Sequence, residues 1–273
     1  MSDELPFVSC LCPTYRHPKL LANAVACYLS QDYPLERREL IILDDYGQYE
    51  NKSYDGYQVV SVSRRYVSFW EKRCATAALG RNLGENKSPD VYCAWDDDDV
   101  YMPWHITAHI EALKVRRRGR DAVAYSHPMK IFSTYGRVLH EEDGRGRFEG
   151  SFAFTRRAYE KADGWPVTKR GGGDQIFIGR LEKACGGKID DPCEGYAPSY
   201  VYRWESTNSN HSSGYHKSFD DEEWYDRYAR EANFDDEGAS RIVLPQFDAE
   251  TKQIYSLVDQ EKGIGLETHQ IQS

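Results

Sequence analysis

Four consecutive aspartates, Asp96–Asp99, directly follow the apolar run VYCAW at residues 91–95. Adjacent carboxylates repel one another, so a positively charged partner is expected beside them. Hard divalent cations such as Mg²⁺ and Mn²⁺ prefer carboxylate oxygen and usually share their coordination shell with phosphates and water. A cation held there would neutralise the charge that develops on a departing diphosphate. The alternative is a solvated acidic turn that caps the helix predicted to start near Pro103.

Other polar residues come at the ends of other apolar runs. Thr14 follows the run LPFVSCLC at residues 5–12, and Asp44 and Asp45 close the run that begins RELIIL at 38–43. An aspartate pair at a turn is weak evidence for a site by itself, because aspartate favours turns in any case. The shared position of these residues, each after a run of strand-forming residues, is the stronger signal.

The apolar runs alternate with segments whose apolar residues recur at helical spacing. This alternation predicts right-handed β-α-β units and a mainly parallel sheet, which is an α/β fold. Ligands bind beyond the carboxyl ends of the strands in such sheets, and the polar clusters fall at those ends. We therefore expect a nucleotide-type site on one rim. The strands are predicted at 5–12, 38–45, 57–63 and 90–95, and the helices at 19–32, 70–87 and 103–118.

The pattern changes after about residue 120. Shorter elements follow, and the polar segment 206–218 is a candidate lid. A charged helix and a terminal hairpin are expected near the end of the chain. The predicted elements are short strands at 121–132 and 135–142 that form a hairpin, a strand and short helix within 144–165, a helix within 171–184, a strand at 199–205, a helix at 220–232 and the terminal hairpin at 241–258.

Composition limits the class of protein. The 273 residues suffice for one large domain with a real core. A net charge of −9 disfavours a general nucleic-acid or anionic-membrane binder. We see no signal peptide and no apolar stretch long enough to cross a bilayer. The seven cysteines are scattered without a C-x-x-C pair, which indicates reduced core thiols rather than a zinc site. We expect a cytoplasmic protein without integral membrane association.

The chain contains, in this order, VSCLCPTYRHPKLL at 8–21, RELIILDD at 38–45, GRNLG at 80–84, WDDDDVYMP at 95–103 and GGGDQIFIGRL at 171–181. This is the order seen in family 2 glycosyltransferases, which the chain resembles over about residues 5–205. The resemblance implies a GT-A fold, a nucleotide-diphosphate sugar donor, expected to be UDP-linked, and an inverting displacement at the anomeric carbon. It implies a single GT-A domain over 1–273, divided into a nucleotide-sugar-binding half at 5–115, an acceptor and catalytic half at 116–205, and a C-terminal lid, helix and hairpin at 206–273.

The resemblance assigns residues to the nucleotide. Those that line the base and ribose pocket are Pro13, Thr14, Tyr15 and Arg16, with arginine where the family usually has asparagine. A plain strand-to-helix turn is the alternative. The family's second strand ends in a carboxylate pair whose first member accepts a hydrogen bond from the base, and Asp44 and Asp45 match that pair. Arg81 is expected to pair with a phosphate, Lys72 and Arg73 compete for that role, and plain surface charge is the alternative.

The D-x-D motif of the family corresponds to Asp96–Asp98. The resemblance implies that Asp98 is the first metal ligand, with Asp96 as a second. Either Asp96 or Asp97 would face the ribose and the diphosphate, and Asp99 would cap the following helix. The metal would be Mn²⁺ or Mg²⁺.

Some GT-A enzymes supply a late histidine as a further metal ligand or a diphosphate contact. In this chain His211 or His216 would take that role, and Arg203 would lie near the phosphates. The alternative is that each histidine is simply solvated in a polar loop.

The segment GGGDQIF matches the region where the family has its catalytic base, and Asp174 takes that position. It would accept the proton of the acceptor hydroxyl as that oxygen attacks. The family usually has an acidic residue just before this aspartate, but Gly173 stands there, so the pKa of Asp174 would be tuned by burial. The alternative is that Asp174 caps the helix that begins near Gln175. Trp165 would either stack on a sugar or belong to the core.

Three functions are weighed. The first is a glycosyltransferase acting on the hydroxyl of a glycan or small molecule, with hydroxymethylated bases of phage DNA as a narrower variant that the arginines of VRRRGR at 115–120 would allow. The second is a nucleotidyltransferase, which would normally carry a glycine-rich basic loop after the first strand, unlike CPTYRHP. The third is a non-catalytic nucleotide-sugar-binding module, which would be expected to lack Asp98 or Asp174.

Overall fold

The computed structural model describes residues 4–82, 88–119, 121–135, 138–145, 147–169, 171–204, 224–231, 234, 236–260 and 269–270. Its strands are β1 (Val8–Thr14), β2 (Arg38–Asp44), β3 (Lys52–Ser53), β4 (Tyr57–Ser61), β5 (Val91–Ala94), β6 (Val100–Tyr101), β7 (Tyr125–Ser126), β8 (Lys130–Ser133), β9 (Val138–Asp143), β10 (Ala153–Thr155), β11 (Tyr200–Tyr202) and β12 (His269–Gln270). Its α-helices are α1 (Pro18–Leu29), α2 (Phe69–Asn82), α3 (His105–Leu113), α4 (Val115–Arg118), α5 (Arg156–Lys161), α6 (Gly173–Ala184), α7 (Trp224–Glu231) and α8 (Ala249–Gln260).

The larger sheet has seven strands in the order β3-β4-β2-β1-β5-β10-β7. Its four central strands, β4, β2, β1 and β5, are parallel, while β3 and β10 run antiparallel to their neighbours. Thr14 pairs with Asp44 in the β1–β2 register, so these two strands end level at one rim. The prediction of an α/β fold with a mainly parallel sheet is confirmed.

A second sheet of five strands has the order β12-β9-β8-β11-β6. The expected hairpin after residue 120 is present as the antiparallel pair β8–β9. β5 belongs to the larger sheet and β6 to the smaller one, so the acidic run Asp96–Asp99 connects the two sheets. This position places the four carboxylates at the junction of the sheets.

Burial explains the central elements. Every residue of β1 and β5 is buried, as expected for strands that have both faces covered in a parallel sheet. α1 begins with Pro18 in its first turn and buries one apolar side, including Leu21, Val25 and Tyr28, against that sheet. All seven cysteines are free thiols, as expected from their scattered spacing.

Two predicted elements differ from the structure. The helix predicted at 103–118 begins at His105 and is broken at Lys114, whose φ of +52° is left-handed and separates α3 from α4. The terminal hairpin predicted at 241–258 is wrong, because the structure forms α8 there. Thr251, Ile254 and Val258 recur at helical spacing and bury one side of α8.

The candidate lid at 206–218 lies outside the described residues, and so do His211 and His216. Among the helices that the structure describes, none has the length and apolar character needed to cross a membrane.

Candidate active site

A cavity of about 500 Å³ opens at the carboxyl ends of β1 and β5. It brings together residues that are far apart in the chain. Those already singled out from the sequence are Pro13, Thr14, Tyr15, Lys72, Arg73, Asp96, Asp97, Asp98 and Asp174. The cavity therefore lies at the edge of the sheet where the sequence predicts a site, beyond the carboxyl ends of the parallel strands.

The carboxylate of Asp97, the second residue of the acidic run, is buried. It accepts a hydrogen bond of 2.6 Å from Thr14 Oγ1, and His17 Nδ1 lies 3.6 Å from the same oxygen. Burial alone would raise the pKa of Asp97, but the contacts with His17 and Thr14 and the charge of Lys72 bring it below its ordinary value. Asp97 is therefore held as an anion at the end of β1.

Asp96 and Asp98 are both half-buried on the cavity wall. Asp96 pairs with the guanidinium of Arg73, which is the positive partner expected beside the acidic run. Burial raises the pKa of Asp96, and the neighbouring Asp98 and Asp97 add to that rise, against the opposing charge of Arg73. A Cβ at residue 150 would lie 2.5 Å from Asp96 Oδ2, so Gly150 allows the chain to pass close to this carboxylate.

Asp99 has a structural role that differs from its prediction. It accepts hydrogen bonds from the hydroxyl of Tyr200 and, at 3.1 Å, from the backbone N–H of Arg203. The N-terminal cap position of α3 is Trp104, which makes no side-chain capping bond. The prediction that Asp99 caps the following helix is therefore wrong, because its carboxylate ties the acidic run to β11 instead.

The consecutive cations Lys72 and Arg73 are almost fully buried beneath the cavity rather than on the surface of α2. Lys72 Nζ donates to the backbone oxygen of Thr14 and, at 2.6 Å, to Asp45 Oδ1. Arg73 lies between Asp96 and Glu149, with its Nε 3.7 Å from Glu149 Oε1. These contacts exclude the alternative that Lys72 and Arg73 are ordinary charged residues on the protein surface. The side chain of Arg81 lies outside the described part of the structure, so its phosphate contact stays a prediction.

Asp44 and Asp45 have separate surroundings. Asp44 accepts hydrogen bonds from three backbone N–H groups of its own turn, those of residues 46–48, and from Ser61 Oγ at 2.6 Å. Its carboxylate is buried and does not line the cavity. This placement disagrees with the predicted hydrogen bond to the base, because the oxygens are already bound by the turn.

Asp45 anchors residues on one wall of the cavity. It accepts hydrogen bonds from Lys72, from the backbone N–H of Tyr66 and, at 3.0 Å, from the hydroxyl of Tyr225. Burial acts to raise the pKa of Asp45, but Lys72 and Arg65 outweigh it and the pKa lies below its ordinary value. Asp45 itself does not line the cavity, so it acts through these neighbours.

An aromatic and cationic stack forms one wall of the cavity. The guanidinium of Arg65 lies 3.9 Å from the ring centre of Tyr15 and 3.8 Å from that of Tyr225. Arg16, by contrast, has a left-handed φ of +57° and pairs with Asp236 at 2.8 Å. Arg65 lines the cavity and Arg16 does not, which disagrees with the predicted place of Arg16 in the pocket.

Asp174 is half-buried on the cavity wall in the first turn of α6. The cap position of this helix is Gly172 with a φ of +74°, so the alternative that Asp174 is the N-cap is wrong. A Cβ at Gly173 would lie 2.3 Å from the indole of Trp70. An acidic residue therefore cannot stand at position 173 unless Trp70 moves.

A second carboxylate near Asp174 comes from a distant segment. Glu149 lines the cavity, is buried, and accepts a hydrogen bond from the indole N–H of Trp165. Burial raises the pKa of Glu149 to about 8 despite Arg73, and the charges of Asp96 and Asp174 add to the rise. Along the chain, Asp174 has no acidic residue directly before it. The fold nevertheless brings the carboxyl group of Glu149 near it, so the expectation that no carboxylate neighbours Asp174 is wrong.

Trp165 and Arg203 belong to the interior. Trp165 is 2% exposed and packs on Phe177 at 4.3 Å between ring centres, so the core alternative holds for it. Arg203 is 1% exposed and pairs with Glu250 at 2.6 Å and with Asp248 at 3.1 Å. Its guanidinium binds the start of α8 and does not line the cavity, so the contact with the phosphates stays a prediction.

Several cavity residues could not be found from the sequence alone. They are His17, Arg65, Phe69, Trp70, Glu142, Arg147, Phe148, Glu149, Tyr202, Trp204 and Tyr225. His17 directly precedes α1 at the end of the β1 turn, and this position was the one available signal. The others come from loops, from strands and their ends, from the start of α2 or from α7, and no pattern in the sequence marks them as site residues.

Comparison with solved structures gives similar folds at low identity. The structure of S. aureus TarS 1-349 in complex with UDP-GlcNAc matches with a TM-score of 0.54 and 16% identity over 85% of this chain and 69% of that chain. Another structure of TarS 1-349 matches with a TM-score of 0.52 and 14% identity over 72% of this chain and 60% of that chain.

The mannosyltransferase PcManGT from Pyrobaculum calidifontis, solved in complex with GDP-Man and Mn²⁺, matches with a TM-score of 0.51 and 15% identity. That match covers 78% of this chain and 60% of the mannosyltransferase. The chain thus spans well under the full length of these proteins. No model of a known protein family matches the sequence, and no curated protein matches it. These likenesses establish the shared fold.

Proposed function

We propose that this protein is a metal-dependent, inverting glycosyltransferase that moves a sugar from a nucleotide-diphosphate sugar, UDP-linked, to an acceptor hydroxyl. One observation carries the proposal: a single cavity at the carboxyl ends of parallel strands contains Asp96, Asp98 and Asp174, with Lys72 and Arg73 buried behind them. Proteins of similar fold in complex with UDP-GlcNAc or GDP-Man support this function.

In this proposal residues 5–115 bind the donor. Tyr15 offers an aromatic face, with Arg65 and Tyr225 beside it, to the base. Thr14 and Asp97 are joined by a hydrogen bond near the ribose. Lys72 and Arg73 offset part of the negative charge of the acidic run, which lowers the electrostatic cost of placing a diphosphate next to four carboxylates.

The metal proposed here fits the residues present. No set of three or more His, Cys, Asp and Glu side chains in the described structure could hold a metal by itself. Mg²⁺ and Mn²⁺ sites of this kind need only one or two protein carboxylates, since phosphates and waters complete the shell. Asp98 and Asp96 would hold the ion, and His211 is kept as a further ligand. When bound, the ion supplies charge neutralisation to the departing diphosphate.

Asp174 is proposed as the general base. It lines the cavity from the side of α6, whereas the acidic run enters from the end of β5. Its carboxylate would take the proton of the acceptor hydroxyl as that oxygen attacks the anomeric carbon. Attack by a separate hydroxyl opposite the departing diphosphate inverts the configuration at that carbon. Glu149 lines the same cavity, and because burial raises its pKa to about 8 it is largely a neutral acid near pH 7.

Thermal unfolding with a panel of nucleotides, each with and without Mn²⁺, tests the proposal. A ligand that binds the folded protein raises its unfolding temperature by mass action. We expect UDP and UDP-sugars to stabilise the protein and to do so much more strongly with Mn²⁺. Slow hydrolysis of one UDP-sugar by the wild-type protein would then identify the donor. The proposal is wrong if no nucleotide stabilises the protein under either condition.

A further inference from the structure

Three aromatic residues follow one another at alternate positions along and just beyond β11. Tyr200, Tyr202 and Trp204 are spaced by two residues, so an extended chain directs their side chains to the same face. Tyr202 and Trp204 have ring centres 4.8 Å apart. The hydroxyl of Tyr200 donates to Asp99, so this row begins directly beneath the acidic run.

Two aromatic residues from the second sheet and its loops extend the row. The ring of Phe148 lies 4.6 Å from that of Tyr202, and the ring of Tyr135 lies 5.8 Å from that of Trp204. Phe148, Tyr202 and Trp204 line the cavity, whereas Tyr135 is 60% exposed at the outer end. We call these four residues the aromatic shelf. The shelf runs continuously from the cavity to the surface.

The backbone at Phe148 supports a binding role for the shelf. Its φ of +58° is left-handed, a conformation that residues with bulky side chains rarely adopt. Such strained positions persist where the surrounding structure enforces them and are concentrated at ligand sites. Here the strained residue directly precedes Glu149, so the same turn places an aromatic ring and a buried carboxylate on the cavity wall.

We infer that the aromatic shelf binds a sugar ring of the acceptor, so that the acceptor is a saccharide. This inference rests on the proposed function. The C–H faces of a pyranose pack on aromatic rings, while its hydroxyl edges need hydrogen-bond donors and acceptors. Glu142 and Arg147 line the same cavity, 3.6 Å apart, and together offer both. A saccharide on the shelf would lie in the same cavity as Asp174, the proposed base.

The charges next to the shelf favour a saccharide over DNA. Protein surfaces that bind DNA carry an excess of positive charge to neutralise its phosphates. β8 and β9 carry Lys130 against three acids, Glu141, Glu142 and Asp143, so these strands have no positive excess. Lys130 pairs with Glu141 at 2.6 Å, and Arg147, beyond β9, lies 3.6 Å from Glu142. A neutral saccharide needs no excess charge. A hydroxymethylated base would also stack on the shelf, but its phosphates would meet no net positive surface among these residues.

Acceptor assays with the full-length protein and its best UDP-sugar donor test the inference. The probes are tetrasaccharides of glucose and of N-acetylglucosamine, an oligonucleotide containing 5-hydroxymethylcytosine, and a serine-containing peptide. We expect transfer to a tetrasaccharide. For Trp204→Leu we expect the KM for the tetrasaccharide to rise by roughly five- to tenfold, the effect of losing one aromatic contact. The KM for the donor should change less than twofold.

Two further variants keep the test decisive if Trp204→Leu folds poorly. Tyr135→Ser alters an exposed side chain and should raise the same KM by roughly two- to threefold, as expected for a partly solvated contact. Tyr54→Leu is the matched control: it removes a ring stacked on Tyr57 at 4.4 Å, outside the cavity, and should leave the KM unchanged.

The outcomes separate the two proposals. Transfer to the oligonucleotide or the peptide but to no saccharide would overturn the inference that the aromatic shelf binds a saccharide, while the glycosyltransferase function would stand. Transfer to a tetrasaccharide with an unchanged KM in both Trp204→Leu and Tyr135→Ser would overturn it as well. If the wild-type protein neither binds nor hydrolyses any nucleotide sugar, the proposed function itself is wrong, and the acceptor inference falls with it.

Discussion

At the scale of single residues, the acidic run shows how four identical side chains acquire different roles. Asp97 and Asp99 are buried and accept hydrogen bonds from Thr14 and Tyr200, respectively. Asp96 pairs with Arg73, and Asp98 lies half-buried on the cavity wall. Along the run, the half-buried Asp96 and Asp98 alternate with the buried Asp97 and Asp99. The local contacts, not the residue type, decide which carboxylate is available to a cation.

Replacing Asp98 and Asp99 separately tests this division. Asp98→Asn should keep the unfolding temperature close to wild type but weaken the Mn²⁺-dependent stabilisation by UDP. Asp99→Asn should lower the free energy of unfolding by about 1–3 kcal/mol, because it weakens buried hydrogen bonds from Tyr200 and Arg203. Thermal unfolding with and without Mn²⁺ and UDP measures both effects. Equal loss of Mn²⁺ dependence in both variants would contradict the assignment.

Asp174→Asn tests the general base. Removing a positioned base typically slows transfer by about 10²–10⁴-fold, and we expect that loss while UDP binding is retained. The matched control is Glu182→Gln on the same helix, outside the cavity, which should transfer at the wild-type rate. Steady-state transfer rates and UDP titrations distinguish the two variants. Turnover near wild type in Asp174→Asn would show that another group accepts the proton.

At the scale of elements, α8 is tied to β11 by a buried cation. Arg203 follows β11 and pairs with Asp248 and Glu250 at the start of α8. Asp248 Oδ1 also accepts a hydrogen bond of 2.7 Å from the backbone N–H of Thr251, which caps the helix. The same side chains therefore start the helix and attach it to the second sheet.

Arg203→Met is expected to destabilise the fold without a direct effect on the nucleotide. Breaking a buried ion pair by removing one partner typically costs about 3–5 kcal/mol, because the remaining charges are left buried without a partner. Urea unfolding measures this loss, and UDP titration at low temperature measures binding to the folded protein. A large fall in UDP affinity with little loss of stability would instead support the phosphate contact expected from the sequence.

The sequence predicted the elements that local patterns determine. β1 and β5 are continuous apolar runs because central parallel strands are buried on both faces, and their polar ends located the cavity. α8 was missed because its buried Ile254 and Val258 are β-branched and resemble strand residues. Glu149 was missed because its relation to Arg73 and Asp174 exists only after folding, when a loop returns to the end of β5.

At the scale of the whole molecule, α3 is fixed to both sheets by buried histidines. His109 Nδ1 lies 2.8 Å from the hydroxyl of Ser126 in β7, and His105 Nδ1 lies 2.9 Å from that of Ser199, next to β11. The two imidazole rings are 4.6 Å apart between centres. Burial lowers the pKa of both, that of His109 to about 3. His109 further lowers the pKa of His105, and His127 further lowers that of His109. Two neutral imidazoles thus link the sheets that form the cavity.

This arrangement predicts a loss of stability in mild acid. The pKa of His109 is depressed in the folded protein, so protons bind preferentially to the unfolded chain once the pH falls below the ordinary pKa of 6.5. Between about pH 7.5 and pH 5 this histidine should remove about 2 kcal/mol from the free energy of unfolding. His109→Asn, which can keep the contact with Ser126, should lack that part of the pH dependence. His140→Asn, with a side chain 28% exposed on β9, is the control and should keep it. Urea unfolding at several pH values measures the slopes; equal slopes in wild type and His109→Asn would show that protonation of this buried residue does not couple to the packing of the two sheets.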